Sequence, residues 1–136
     1  MCYTLQQVEF ISTDKAPKPI GPYSQAVRVG NFLFLSGQTP IDPTTDEATL
    51  FDGDIAKQTE RVLKNIEAIL KSQKLTKDAV IKTTIFLTDL AHFPKVNEVY
   101  AQFFGNHKPA RTTVEVSKLP KGVAIEIEAQ ATFLET

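Results

Sequence analysis

A single cysteine, Cys2, and two histidines, His92 and His107, are all the cysteine and histidine that 136 residues offer. One cysteine cannot close an internal disulfide, and two isolated histidines lack the clustered partners that a zinc site requires, so no metal site is expected. Cys2 reads as an unpaired thiol near a frayed terminus. An excess of charge of one sign is missing too. Fifteen Lys and Arg against sixteen Asp and Glu leave a formal charge of −1, and no block of like charges advertises a nucleic-acid stripe or a membrane anchor. No apolar run approaches the ~18 residues of a membrane span. The N-terminal stretch also lacks the long apolar core of a signal peptide, so a soluble, cytoplasmic protein without a membrane partner is expected. The patterns G-x-x-x-x-G-K-[ST], G-x-G-x-x-G and G-x-S-x-G do not occur, which removes the usual support for nucleotide cofactors and serine-hydrolase chemistry.

What is present is periodicity. A hydrophobic content of 42% in a chain of this length suits one compact domain, residues 1–136. "QAVRVGNFLFLSG" sets two apolar runs around Gly30-Asn31 and predicts a tight hairpin. Residues 40–53 are rich in turn formers and predict a surface loop. Ile55, Val62, Leu63, Ile66, Ile69 and Leu70 recur at helical spacing over 54–73, with Asp54 as a candidate N-cap. "AVIKTTIFLTDL" predicts a strand over 79–90. Phe93, Val96, Val99, Tyr100, Phe103 and Phe104 then trace a second helical stripe over 92–105, and two more strands close the chain. The order ββ(β)-α-β-α-ββ predicts an α+β architecture, a mostly antiparallel sheet with both helices on one face.

Such a sheet leaves its other face uncovered. Residues 24–29 and 32–36 are apolar on both parities, which favours burial on both sides and self-association through the sheet. In "IEIEAQ" the alternation puts Glu126 and Glu128 opposite Ile125 and Ile127, and in "ARTTVE" it groups Arg111, Thr113 and Glu115. Arg111, Thr113, Glu126 and Glu128 are therefore expected together on the uncovered face, where hydroxyls of Tyr23 and Ser36 can join them. An arginine fork suits a small carboxylate, and a half-dry glutamate can orient and deprotonate water. From periodicity alone, a surface ion pair between Arg111 and Glu126 accounts for the same residues. His92, just before a helix, reads as a cap or a solvated side chain, and His107 as a structural loop residue.

The blocks "IGPYSQAV", "FLSGQTPIDP", "KTTIFLTDL", "VNEVYAQFF" and "PARTTVEVSKLPKGVAIEIEA", from about Ala16 to Phe133, resemble in order and spacing the Rid family, the reactive-intermediate deaminases also called YjgF-like or L-PSP proteins. The resemblance implies a chorismate-mutase-like α+β sandwich assembled as a homotrimer with three clefts between subunits. It further implies hydrolysis of 2-enamines and 2-imines such as 2-aminoacrylate, released by pyridoxal-phosphate-dependent dehydratases, to 2-keto acids and ammonia without a cofactor. By the same resemblance Arg111 anchors the substrate carboxylate, Glu126 positions water, and Tyr23, Ser36, Gly37 and Asn97 line the cleft. Glu128 carries no such role. Thr113 stands where many members have cysteine, which excludes a thiol nucleophile while leaving the backbone there available to ligand. "GNHKPAR" is shorter than in typical bacterial members, and the loop 44–53 is longer, with "TDE" where "TGE" is usual. The same resemblance also carries an L-PSP-type endoribonuclease or translation inhibitor, which the charge balance and the two histidines support little; a non-catalytic carboxylate-metabolite-binding trimer, using Arg111 as an anchor without turnover, is the other alternative.

Overall fold

The computed structural model of the chain describes residues 8–134, so the expectation for Cys2 lies outside the described residues. Strands β1 (Val8–Ile11), β2 (Ala26–Val29) and β3 (Phe32–Gln38) precede a small hairpin of β4 (Ile41–Asp42) and β5 (Glu47–Ala48). Helix α1 (Ile55–Ser72), strand β6 (Val80–Leu87), helix α2 (Phe93–Phe104) and strands β7 (Ala110–Glu115) and β8 (Ile125–Thr132) follow. Six strands form one sheet in the order β1-β2-β3-β8-β6-β7, antiparallel throughout except for the parallel pair β6 and β7. The expected α+β class, hairpin and helices are all present.

Local chemistry explains the elements. Gly30 takes φ +57° at the β2–β3 turn, a region open to glycine at no steric cost. The Asp54 carboxylate accepts a hydrogen bond from the Lys57 backbone N–H at 3.1 Å, satisfying one of the donors that a helix start leaves free. Pro94 occupies the first turn of α2, and Gly105 ends it at φ +61°. Residues 40–53, expected as a loop, fold back as the β4–β5 hairpin, and Asn65 of α1 pins that turn by donating to the carbonyls of Thr39 and Ile41.

Both helices lie on one face, where Leu33, Leu35, Ile85, Leu87, Ile125 and Ile127 meet Val62, Leu63, Ile66, Ile69, Leu70 and Val96 in a continuous buried core. Truncating one of these leucines to alanine costs about 2–5 kcal/mol. The opposite face is split. Val8, Phe10, Val29, Phe32 and Phe34 leave large apolar side chains exposed on the β1–β3 half, while β8 presents Glu126, Glu128 and Gln130. Among the described residues, no helix is long and apolar enough to cross a membrane.

The register corrects one expectation. Arg111 pairs with the buried Thr83, and Thr113 with the buried Ile85, so both share the helix-covered side. Glu126 pairs with Phe86 and Glu128 with Thr84, on the open side. Side chains of directly paired residues project to the same face, so the guanidinium and the carboxylates do not share a surface within one chain. Alternation fixes faces within a strand, but it does not say how two strands align.

Candidate functional site

Glu126 sits on the central strand β8, opposite an irregularity in β3. Between Leu35 and Gln38 the β3–β8 register slips by one residue, a bulge that brings Gly37 under the carboxylate. A Cβ built on Gly37 would lie 2.8 Å from Glu126 Cδ and closer still to Oε2, so only glycine permits this approach. The carboxylate borders a hollow of about 230 Å³ lined in part by Tyr23, Gly37, Thr39, Lys18 and Lys121. Partial burial holds the Glu126 carboxyl above its ordinary value, and the Glu128 charge adds to the rise. Its proton affinity is thereby tuned upward, toward what a general base working near neutrality requires.

The floor of this hollow is built by polar side chains. Gln25, almost fully buried, donates through Nε2 to the carbonyls of Thr13, Ala16 and Pro17, and its Oε1 accepts from the Thr13 N–H at 2.7 Å. Ser36 Oγ donates to the Ser24 carbonyl at 2.6 Å. Ser36 therefore fixes the segment that carries Tyr23 rather than lining the hollow. Lys121 holds φ +58°, a conformation uncommon outside glycine, at the turn that forms the rim.

Arg111 belongs to a second hollow of about 420 Å³, lined by Asn97, Tyr100, Phe104, His107, Lys108 and Arg111 among others. Its Nη1 donates to Asn97 Oδ1 at 2.8 Å, and its Cζ lies 4.9 Å from the Tyr100 ring centroid and 5.1 Å from that of Phe93. The two ion pairs among the described residues, Lys71–Glu67 and Lys95–Glu98, involve neither Arg111 nor Glu126. A surface ion pair is therefore not what holds these two residues. Thr113 lines neither hollow; its Oγ1 is buried without a hydrogen-bond partner among the described residues.

The expected site residues thus fall into two groups, Tyr23, Gly37 and Glu126 lining one hollow with Ser36 bonded behind it, and Asn97 and Arg111 lining the other. His107 Nε2 is engaged by the Val80 carbonyl at 2.6 Å, and His92 stands at the N-cap position of α2 without a capping bond from its side chain. Among the described residues, no group of three or more His, Cys, Asp or Glu is placed to hold a metal ion. The stacking of Phe93 and Tyr100 on Arg111 does not follow from periodicity, which places both aromatics on the second helical stripe. The available signal was Phe93, Asn97 and Tyr100 at helical i, i+4, i+7 spacing, one polar residue between two rings.

The sequence and the α+β fold are shared with known proteins. Residues 13–133 match the family model described as Endoribonuclease L-PSP. A RutC family protein of Pyrococcus abyssi is 58% identical across 90% of this chain and 95% of its own length. The crystal structure of YyfA from Yersinia pestis, a protein of the conserved Rid family, superposes with a TM-score of 0.88 at 48% identity, over 92% of this chain and 98% of its own. Escherichia coli TdcF, solved with bound serine, gives a TM-score of 0.86 at 43% identity, over 93% and 99% of the two chains. The chain belongs to the Rid/YjgF family of L-PSP-type proteins.

Proposed function

We propose that this protein hydrolyses reactive 2-enamine and 2-imine intermediates, such as 2-aminoacrylate, to 2-keto acids and ammonia. The observation that carries the reading is the Glu126 carboxylate, held over Gly37 at the edge of an open hollow with its proton affinity raised by burial. Such a group accepts a proton from water and returns it to a leaving amine. Arg111 supplies the complementary feature, a guanidinium with one edge on Asn97 and, among the described residues, no ion pair to a carboxylate. TdcF, a family member solved with serine, supports a small amino-acid-like carboxylate as the natural occupant.

In this mechanism Arg111 holds the substrate carboxylate in its planar fork. An enamine first tautomerises to the imine. Water held by Glu126 then adds to the imine carbon, and the carboxylate takes a proton from the water and hands it to the nitrogen, to give a neutral carbinolamine with Glu126 ionised again. Glu126 then takes the carbinolamine hydroxyl proton and delivers it to the nitrogen as the C–N bond breaks and the C=O bond forms, so ammonia leaves and the carboxylate is regenerated. Free imines already hydrolyse readily, so positioning and one base are enough to lower a small barrier.

The two groups lie on opposite faces of one sheet, so a complete cleft needs Arg111 of one copy and Glu126 of another. A homotrimer with three such clefts, using the exposed Phe10, Phe32 and Phe34 face in its contacts, meets that requirement. Its working setting is the cytoplasm, beside the pyridoxal-phosphate-dependent dehydratases that release such intermediates. The test is ammonia release from a freshly generated 2-imino acid. The wild-type protein accelerates it, and Arg111→Ala abolishes saturable binding of a 2-keto acid. Arg111→Lys, which keeps the charge but not the fork, weakens that binding by ~1–3 kcal/mol. No acceleration by the wild type, with 2-keto-acid binding intact, would leave a carboxylate-binding protein. Cleavage of RNA in place of imine hydrolysis would turn the reading to the endoribonuclease.

A further inference from the structure

The Arg111 guanidinium is exposed on an edge strand, where a long cation ordinarily samples many rotamers. Here three residues of one helix converge on it. Phe93, Asn97 and Tyr100 follow one another at i, i+4 and i+7 on α2. The two rings lie at 5.1 and 4.9 Å from Cζ, while Asn97 Oδ1 takes Nη1 at 2.8 Å. Tyr100 is itself immobilised. The residue is 7% exposed, its ring packs on Phe104 with centroids 4.6 Å apart, and its hydroxyl shares a 2.8 Å hydrogen bond with the buried Thr83 Oγ1. Thr83 is the strand neighbour of Arg111 in the β6–β7 register. The backbone that carries the arginine and the ring that receives it are therefore locked to the same point of the sheet.

We propose that Tyr100, anchored on Thr83 and working with Phe93, is a positioning residue that clamps the Arg111 guanidinium plane, leaving the edge away from Asn97 presented to a substrate carboxylate. Cation–π contact supplies the attraction, and two rings on one helix fix an orientation that charge alone would not. Pre-ordering matters because a fork that must first be immobilised gives up that entropy from the binding energy. Burial and the Thr83 bond act in opposite directions on the Tyr100 hydroxyl. Burial prevails and raises its pKa, so the neutral phenol is the form that the clamp uses. The inference rests on Arg111 being the carboxylate anchor, but the clamp itself exists without ligand.

Two readouts separate these ideas. In the free protein, ¹⁵Nε relaxation of Arg111 reports an ordered side chain in the wild type and in Tyr100→Phe, and a mobile one in Tyr100→Leu. In calorimetric titration with pyruvate, Tyr100→Leu binds about five- to tenfold more weakly, from the loss of one cation–π partner. Tyr100→Phe, which keeps the ring, restores affinity to within about threefold, and turnover at saturating substrate changes less than affinity. Phe93→Leu, at a less buried position, gives the same direction of change should Tyr100→Leu fold poorly. A folded Tyr100→Leu or Phe93→Leu with an ordered Arg111 and unchanged pyruvate affinity overturns the clamp, since a packing role would lower thermal stability alone. Arg111 ordered in the wild type and loosened in Tyr100→Leu, with no pyruvate binding by either, sustains the clamp and refutes the anchor role.

Discussion

Arg111 and Glu126 stand on opposite faces of one sheet, separated by strand β6. Arg111 is registered to Thr83 and Glu126 to Phe86, which on standard strand spacings puts their Cα positions roughly 14 Å apart. A three-carbon acid cannot touch both within a single chain. Co-expressed Arg111→Ala and Glu126→Gln chains should therefore complement, because a mixed assembly contains clefts with both native residues, whereas each variant alone is inactive. Light scattering should give three times the 15.1 kDa chain mass. Absence of any recovered activity in verified mixed assemblies would show that the two residues do not serve one cleft.

Gly37 sets the position of the carboxylate. In Gly37→Ala the new Cβ would fall 2.8 Å from Glu126 Cδ, so the carboxylate must swing away while the strand keeps its place. Turnover should fall by about 10²-fold, the scale of an ångström-sized displacement of a reacting group, with far-ultraviolet dichroism unchanged. Near-native turnover would mean that Glu126 works from another rotamer.

The raised proton affinity of Glu126 has two causes, burial first and the Glu128 charge second, and each makes a separate prediction. The acidic limb of the rate profile should lie above the ordinary glutamate range, because the base works only when ionised. Glu128→Gln should move that limb to lower pH without abolishing activity. Glu126→Gln should abolish the limb along with most of the turnover while leaving carboxylate binding in place. Stability carries the same sign. The folded state binds the Glu126 proton more tightly than the unfolded chain, so this group's contribution falls as pH rises from the ordinary value through the raised one, and Glu126→Gln removes that slope. An acidic limb that stays fixed in Glu128→Gln would exclude the charge coupling.

Thr113 offers a contrast. Its Oγ1 is buried without a partner among the described residues, and the chemistry assigned to the cleft uses no nucleophile there. Thr113→Val removes the unsatisfied hydroxyl at nearly constant shape, so thermal stability should hold or rise, by up to about 1 kcal/mol, with substantial turnover retained. Loss of activity in an intact assembly would show that the hydroxyl acts on the substrate.

The elements themselves were legible from local patterns. Gly30-Asn31, the stripe from Ile55 to Leu70 and the alternation of Ile125 to Ala129 each follow from a period of 2 or 3.6 and from cap or turn chemistry, which neighbouring residues decide. The five family blocks named the candidate residues for the same reason: spacing along the chain is a property of the sequence. The disposition of Arg111 relative to Glu126 was not legible, because it depends on the register between β7, β6 and β8, and a shift of one residue exchanges the faces of a whole strand. The Gly37 bulge, which carries the glycine under the carboxylate, and the rings of Phe93 and Tyr100 on Arg111 are likewise products of packing between segments distant in sequence. Period fixes which residues share a face of their own element; only the pairing of strands and the docking of α2 on β6 and β7 decide which of those faces meet.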